Sequence, residues 1–60
     1  MNETWVTIQP GSNSNPTDLY LVVTYRDWLY ARHNGTKLTK GDGYATYEES
    51  LAEAHRRNGE

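Results

Sequence analysis

A chain of 60 residues with no cysteine, two histidines and a formal net charge of −2 has few routes to stability. A domain this small buries only about 60% of its unfolded surface. Disulfides and thiolate metal sites are excluded, and two imidazoles are too few for a zinc site, which leaves oligomerisation as the support to expect. The charge is neither a nucleic-acid footprint nor an acidic mimic of nucleic acid. No apolar run approaches the roughly 20 residues that cross a bilayer, and no signal-peptide pattern opens the chain. The expectation is a cytoplasmic protein, bacterial or phage-encoded, with residues 1–60 as a single domain.

Residues 1–18 read as an N-terminal strand and a flexible loop. Trp5-Val6-Thr7-Ile8 is a short β-prone alternation, able to pair within its own subunit or with another. Pro10 to Asp18, with Gly11, Ser12, Asn13, Ser14, Asn15 and Pro16, has a composition that favours turns and mobility over packing. Asn2-Glu3-Thr4 and Asn34-Gly35-Thr36 match the glycosylation sequon, and without a secretion signal both are chance matches.

Residues 19–40 read as a β-meander. Leu19 to Tyr25 is the strongest strand signal, rich in β-branched and aromatic residues. A tight turn is expected at Arg26-Asp27, and a second strand from Trp28 to His33. Asn34-Gly35 matches a type I′ hairpin turn, which needs positive φ at both central positions. Thr36 to Thr39 is then the third strand.

Gly41-Asp42-Gly43 breaks that pattern, and residues 46–58 read as a C-terminal helix. Thr46-Tyr47-Glu48-Glu49 matches a capping box, which predicts a helix from about Tyr47 to Arg57 with an αL-type end near Asn58-Gly59. Glu48 and Glu49 at its start and Arg56 and Arg57 at its end suit the macrodipole. Tyr47, Leu51 and Ala54 form a narrow apolar stripe at helical spacing.

Two-residue turns would pair Tyr25 with Trp28, Val23 with Tyr30, Leu21 with Arg32 and His33 with Thr36. One face of the sheet would then carry Leu21, Val23, Tyr25, Trp28 and Tyr30. The other would carry Tyr20, Val22, Thr24, Leu29, Ala31, His33 and Leu38. Both are too apolar for water, whereas a sheet with one wet face alternates cleanly. The single helix is expected on the aromatic face, with Leu51 and Ala54 around Trp28 and Tyr30. The other face is left for a second subunit, the Trp5–Ile8 segment or another protein. The fold class is therefore α+β: a three- or four-stranded antiparallel meander with one C-terminal helix on one face, dimeric through the sheet.

Trp28-Leu-Tyr-Ala-Arg-His-Asn-Gly35, then Lys37-Leu-Thr, then Gly43-Tyr44-Ala45-Thr46 before a helix resembles the YegP-like family of small domains of unknown function. The likeness covers roughly residues 19–58, with Leu38 in the third strand and Asn58 near the helix end. It implies a β-β-β-α unit that pairs with a like unit, and it carries no catalytic residue. Family members place charged residues where this chain has Leu29 and Ala31, and they lack the extension of residues 1–18.

Candidate chemistry is sparse. His33 and His55 have no motif partner and read as surface or structural residues. Gly41-Asp42-Gly43 before a helix invites an anion nest, yet it lacks the lysine and spacing of a phosphate loop and reads better as a turn. Asp42, Glu48 and Glu49 match no recognised calcium loop. Nothing combines a nucleophile, a base and an orienting group, so no enzyme and no cofactor is expected. The expected function is protein–protein interaction: a small accessory or regulatory protein that self-associates as a homodimer and binds a host macromolecule. Its contacts are assigned to Trp5, Tyr20, Val22, Leu29, Ala31 and Leu38. The alternative is nucleic-acid binding, with Trp28 and Tyr30 stacking on bases beside Arg32 and Lys37.

Overall fold

The computed structural model describes residues 3–59, and Asn2 of the first sequon lies outside them. Five elements follow one another: β1 (Trp5–Ile8), β2 (Tyr20–Thr24), α1 (Tyr25–Asn34), β3 (Asp42–Tyr44) and α2 (Tyr47–Arg57). The strands form one antiparallel sheet in the order β1-β2-β3, with β2 in the centre. The α+β class and the antiparallel sheet agree with the sequence reading; the meander of residues 19–40 does not.

The correction is α1. Residues Trp28 to His33 are helical rather than a second strand, so Arg26-Asp27 is a helical first turn and the pairings of Tyr25, Val23 and Leu21 with Trp28, Tyr30 and Arg32 do not form. Local chemistry sets the two ends of the helix. Thr24 is its N-cap, its hydroxyl accepting from the Asp27 N–H at 3.1 Å, and Asp27 lies in the positive first turn. Arg32 and His33 occupy the last turn. Gly35 then adopts the left-handed conformation at φ 65°, and the N–H groups of Gly35 and Thr36 donate to the carbonyls of Arg32 and Ala31. Those two bonds make a Schellman ending. Asn34 has no positive φ, so the Asn-Gly pair is a helix stop and not a type I′ turn.

The third strand is also displaced. Residues 36–40 form no regular element, and β3 forms at Asp42–Tyr44, where a break in the pattern was expected. The resulting order, β-β-α-β-α, differs from the β-β-β-α unit that the family likeness implied. Gly41 makes the entry to β3 possible. At φ +117° it lies so close to β2 that a Cβ would stand 2.5 Å from Val23 Cγ1 and 3.0 Å from the Val22 carbonyl oxygen. We expect Gly41→Ala to cost about 2–4 kcal/mol, because strain and overpacking combine. Gly35→Ala, which meets open space, should cost about 1 kcal/mol. Urea midpoints of the two variants check the order.

β1 and α2 lie where the sequence placed them. Val6 pairs with Val23 and Ile8 with Leu21, so β1 joins the sheet of its own chain. At α2, the Thr46 hydroxyl accepts from the Glu49 N–H at 3.2 Å and meets the Glu49 carboxylate at 3.0 Å. Asn58 caps the other end, and Gly59 follows at φ 86°.

Both faces of β2 are covered by this chain. One face carries Val6, Ile8, Leu21 and Val23, and it packs with Trp28 of α1 and with Leu38. The other carries Trp5, Thr7, Tyr20, Val22 and Thr24, and α2 lies against it. The helix thus covers the face opposite to the one expected, and α1 covers the other face of β2. Leu21, Val22, Val23 and Thr24 are all buried. β2 alone is apolar on both sides, with Leu21 and Val23 toward α1 and Val22 toward α2; the faces expected of residues 25–39 do not form, because those residues are not strands.

The loop between β1 and β2 is packed rather than loose. Asn15 is fully buried, and its side-chain Nδ2 reaches the carbonyls of Ile8, Gln9 and Leu19 at 3.1, 3.2 and 2.8 Å. Its Oδ1 accepts from the Thr17 N–H and hydroxyl at 3.3 and 2.6 Å. The Leu38 N–H donates to the Ser14 carbonyl at 2.8 Å, tying the 36–40 segment to the same loop. Among the described residues no buried side-chain nitrogen or oxygen lacks a partner.

Candidate interaction surface

α1 buries one stripe and presents another. Ala31 is buried, Asp27 and Trp28 are half-buried, and these three sit on the inward side. The outward side carries Tyr25, Leu29 and Tyr30, which are 47%, 45% and 67% exposed. Only Leu19 and Tyr47 are exposed large hydrophobic residues outside α1 among the described residues. Helical spacing sets Arg26 beside Tyr30 and Tyr25 beside Leu29. The Tyr25 ring centre is 5.5 Å from that of Trp28, and the Arg32 guanidinium lies 5.4 Å from the centre of the Trp28 ring.

A groove flanks α1 on each side. The larger, about 810 Å³, runs along β1 and is lined by Val6, Ile8, Tyr20, Tyr25, Trp28 and Tyr47 together with loop residues. The smaller, about 380 Å³, lies between α1 and the 36–40 segment, with Asp27, Tyr30, Leu38, Lys37 and Lys40 on its walls. Charge is segregated as well. Residues 25–40 hold Arg26, Arg32, Lys37 and Lys40 against Asp27 alone, while the chain as a whole is acidic.

The expected contact residues do not form one surface. Val22 and Ala31 are buried inside the chain, and Leu38 is half-buried against the core. Trp5 is half-buried with the Arg57 guanidinium 4.6 Å from its ring centre, and Tyr20 packs on Tyr47 at 5.9 Å. Leu29 alone of the six stands in the open. Of the alternative set, Trp28 is half-buried in the core, while Tyr30, Arg32 and Lys37 are exposed. Arg32 and Lys37 are not neighbours across a hairpin, because no hairpin exists there. Sequence reasoning missed Tyr25 and Arg26 as surface residues. Thr24-x-x-Asp27, an N-cap followed by an acid in the first turn, was the signal that would have found them.

Asp42, His33 and His55 remain. Asp42 forms an ion pair with Arg57 and belongs to β3, so Gly41-Asp42-Gly43 is a strand entry. His33 and His55 are exposed on the last turns of α1 and α2. Among the described residues no group of three or more His, Cys, Asp or Glu is placed to hold a metal ion. No helix there is long and apolar enough to cross a membrane.

At the end of α2, Glu53 accepts from Arg56 Nε at 3.0 Å and from Arg57 Nε at 2.6 Å. The two guanidinium groups, Arg56 first, lower the Glu53 pKa from 4.5 to about 2. Hydrogen bonds to Asp42 and then Glu53 raise that of Arg57. A carboxyl whose folded pKa is depressed contributes its stability above the unfolded value and loses it as pH falls through the folded value. We therefore expect a melting temperature that declines between pH 4.5 and about 2, and a shallower decline in Glu53→Gln. Added salt should weaken the effect, because the group is at the surface.

Set against known proteins, this α+β chain matches no family model, no curated protein and no solved structure.

Proposed function

We propose that this protein is a non-catalytic protein–protein interaction module, a small accessory or regulatory protein whose contact surface is the outward side of α1. The observation that carries the reading is the exposure of Tyr25, Leu29 and Tyr30 on one helix, beside Arg26 and Arg32. Tyrosine and arginine are enriched at the energetic centres of interfaces, and a ridge of this kind between two grooves suits a complementary protein surface. The local excess of positive charge favours an acidic partner.

The test is a photo-crosslinking residue at Leu29, with Ala52 on α2 as the control, in cells of the native host. The reading expects a discrete adduct from position 29 and none from 52. It also expects Leu29→Asp to keep the fold and lose that partner. Equal adducts at both positions, or an unchanged complex with Leu29→Asp, would overturn it.

Nucleic-acid binding is the second reading, supported by Lys37 and Lys40, which share a groove with the exposed Tyr30, and by Arg26 one helical turn from it. Against it stands Trp28, which is half-buried in the core and beneath Arg32 and so offers little face for a base. Fluorescence anisotropy with a labelled single-stranded oligonucleotide at low ionic strength separates the two. Tight binding that weakens steeply with salt would favour this second reading.

A further inference from the structure

The outer edge of β1 carries a lock. The Tyr25 N–H donates to the Thr4 carbonyl, so in the alternating ladder Thr4, Val6 and Ile8 address β2, and Trp5 and Thr7 turn their backbone groups outward. Asn58 meets Trp5 there as a strand would. Its Oδ1 accepts from the Trp5 N–H at 2.7 Å, and its Nδ2 donates to the Trp5 carbonyl at 3.0 Å. At the other end of the strand, Asn15 engages the Gln9 carbonyl. Among the described residues Thr7, between them, has no such guard.

We propose that Asn58 seals β1 against a second copy of this chain, and that removing the seal allows two chains to join antiparallel through β1. Two features select a second copy as the occupant. Val6-Thr7-Ile8 is a β-branched triplet that reads alike in either direction. In an antiparallel pair centred on Thr7, Val6 therefore faces Ile8 of the partner subunit, continuing the apolar sheet face under Trp28. The contact is also isologous, so one edge supplies both halves and the assembly closes at two. Full pairing sets Trp5 against Gln9 of the partner subunit and needs both outward groups of Trp5, which Asn58 holds, whereas the Gln9 carbonyl bonded by Asn15 keeps a second lone pair. Unguarded edges of this kind are the usual route to association between sheets.

Sedimentation of wild type, Asn58→Ala and Asn58→Ala/Thr7→Pro tests the lock at matched concentrations. The wild type is expected as a monomer, Asn58→Ala at twice that mass, and the double variant as a monomer again. Proline at position 7 removes an outward N–H and no bond to β2. A folded Asn58→Ala that stays monomeric would overturn the proposal, as would a dimer that Thr7→Pro fails to disperse. Amide exchange in the wild type decides the matter even if Asn58→Ala does not fold. Trp5 should be protected and Thr7 fast; equally fast exchange at both sinks the lock.

Discussion

Val22→Asp should leave the chain unfolded at 25 °C. Val22 has no exposed surface, and it sits on the central strand on the face that α2 covers. The substitution forfeits the burial of an aliphatic side chain, about 1.5–3 kcal/mol, and adds the cost of a carboxylate without a partner. Together these exceed about 4 kcal/mol, and a domain this small, with no disulfide, lies toward the low end of the roughly 3–9 kcal/mol that its length allows. Far-UV circular dichroism and amide dispersion would both collapse. Val22→Ala, which only opens a small cavity, should cost about 2 kcal/mol and keep the fold. Leu29→Asp is the informative contrast. Leu29 is half in solvent, so the change should stay within about 0.5 kcal/mol of wild type. A folded, native-like Val22→Asp would mean that α2 does not cover this face.

Asn15→Ala should be the most damaging polar substitution, at about 3 kcal/mol. One buried amide serves the end of β1, through Ile8 and Gln9, and the start of β2, through Leu19. Truncation leaves carbonyls without donors, each costing about 1–3 kcal/mol where water cannot reach. Asn15→Asp keeps the shape but turns a carboxylate toward those carbonyl oxygens. The folded state then favours the protonated acid, so its pKa rises above the ordinary 3.9 or so. A raised folded pKa means stability present at low pH and lost as pH climbs past the unfolded value. Asn15→Asp should thus melt higher at pH 4 than at pH 7. Glu53 acts in the opposite direction, with its loss confined to pH below 4.5. Thermal melts of wild type, Asn15→Ala and Asn15→Asp at both pH values check this; a flat profile for Asn15→Asp would show that Asn15 is wet.

Asn15 also shows how composition misleads. A run of Gly, Ser, Asn and Pro reads as mobile because each residue suits a turn. Here the same residues build an ordered connection, since one asparagine side chain has the donors and acceptors to replace a whole set of backbone partners. Its role depends on the relative placing of Ile8, Gln9 and Leu19, which no local window contains. The candidate surface was hidden for a related reason. Tyr25 and Arg26 were read into a strand end and a turn, and only as a helix do they share a side with Leu29 and Tyr30.

Residue order by itself determined β1, β2 and α2. Trp5–Ile8 and Tyr20–Thr24 carry enough β-branched and aromatic residues to exclude other states, and the Thr46–Glu49 cap and the basic last turn bound α2. Those signals act over a few residues, and each points one way. Residues 25–40 were different, because their signals conflict. Trp28, Leu29 and Tyr30 suit a strand, and Asn-Gly serves a hairpin turn or a helix end equally well. Tertiary structure decided between them. A helix there buries Ala31 and half of Trp28 and helps to cover the second face of β2, as no third strand in the same plane would. The same arrangement placed α2 on the Val22 face and brought Asn58 to the edge of β1. Both outcomes rest on contacts between elements far apart in the chain.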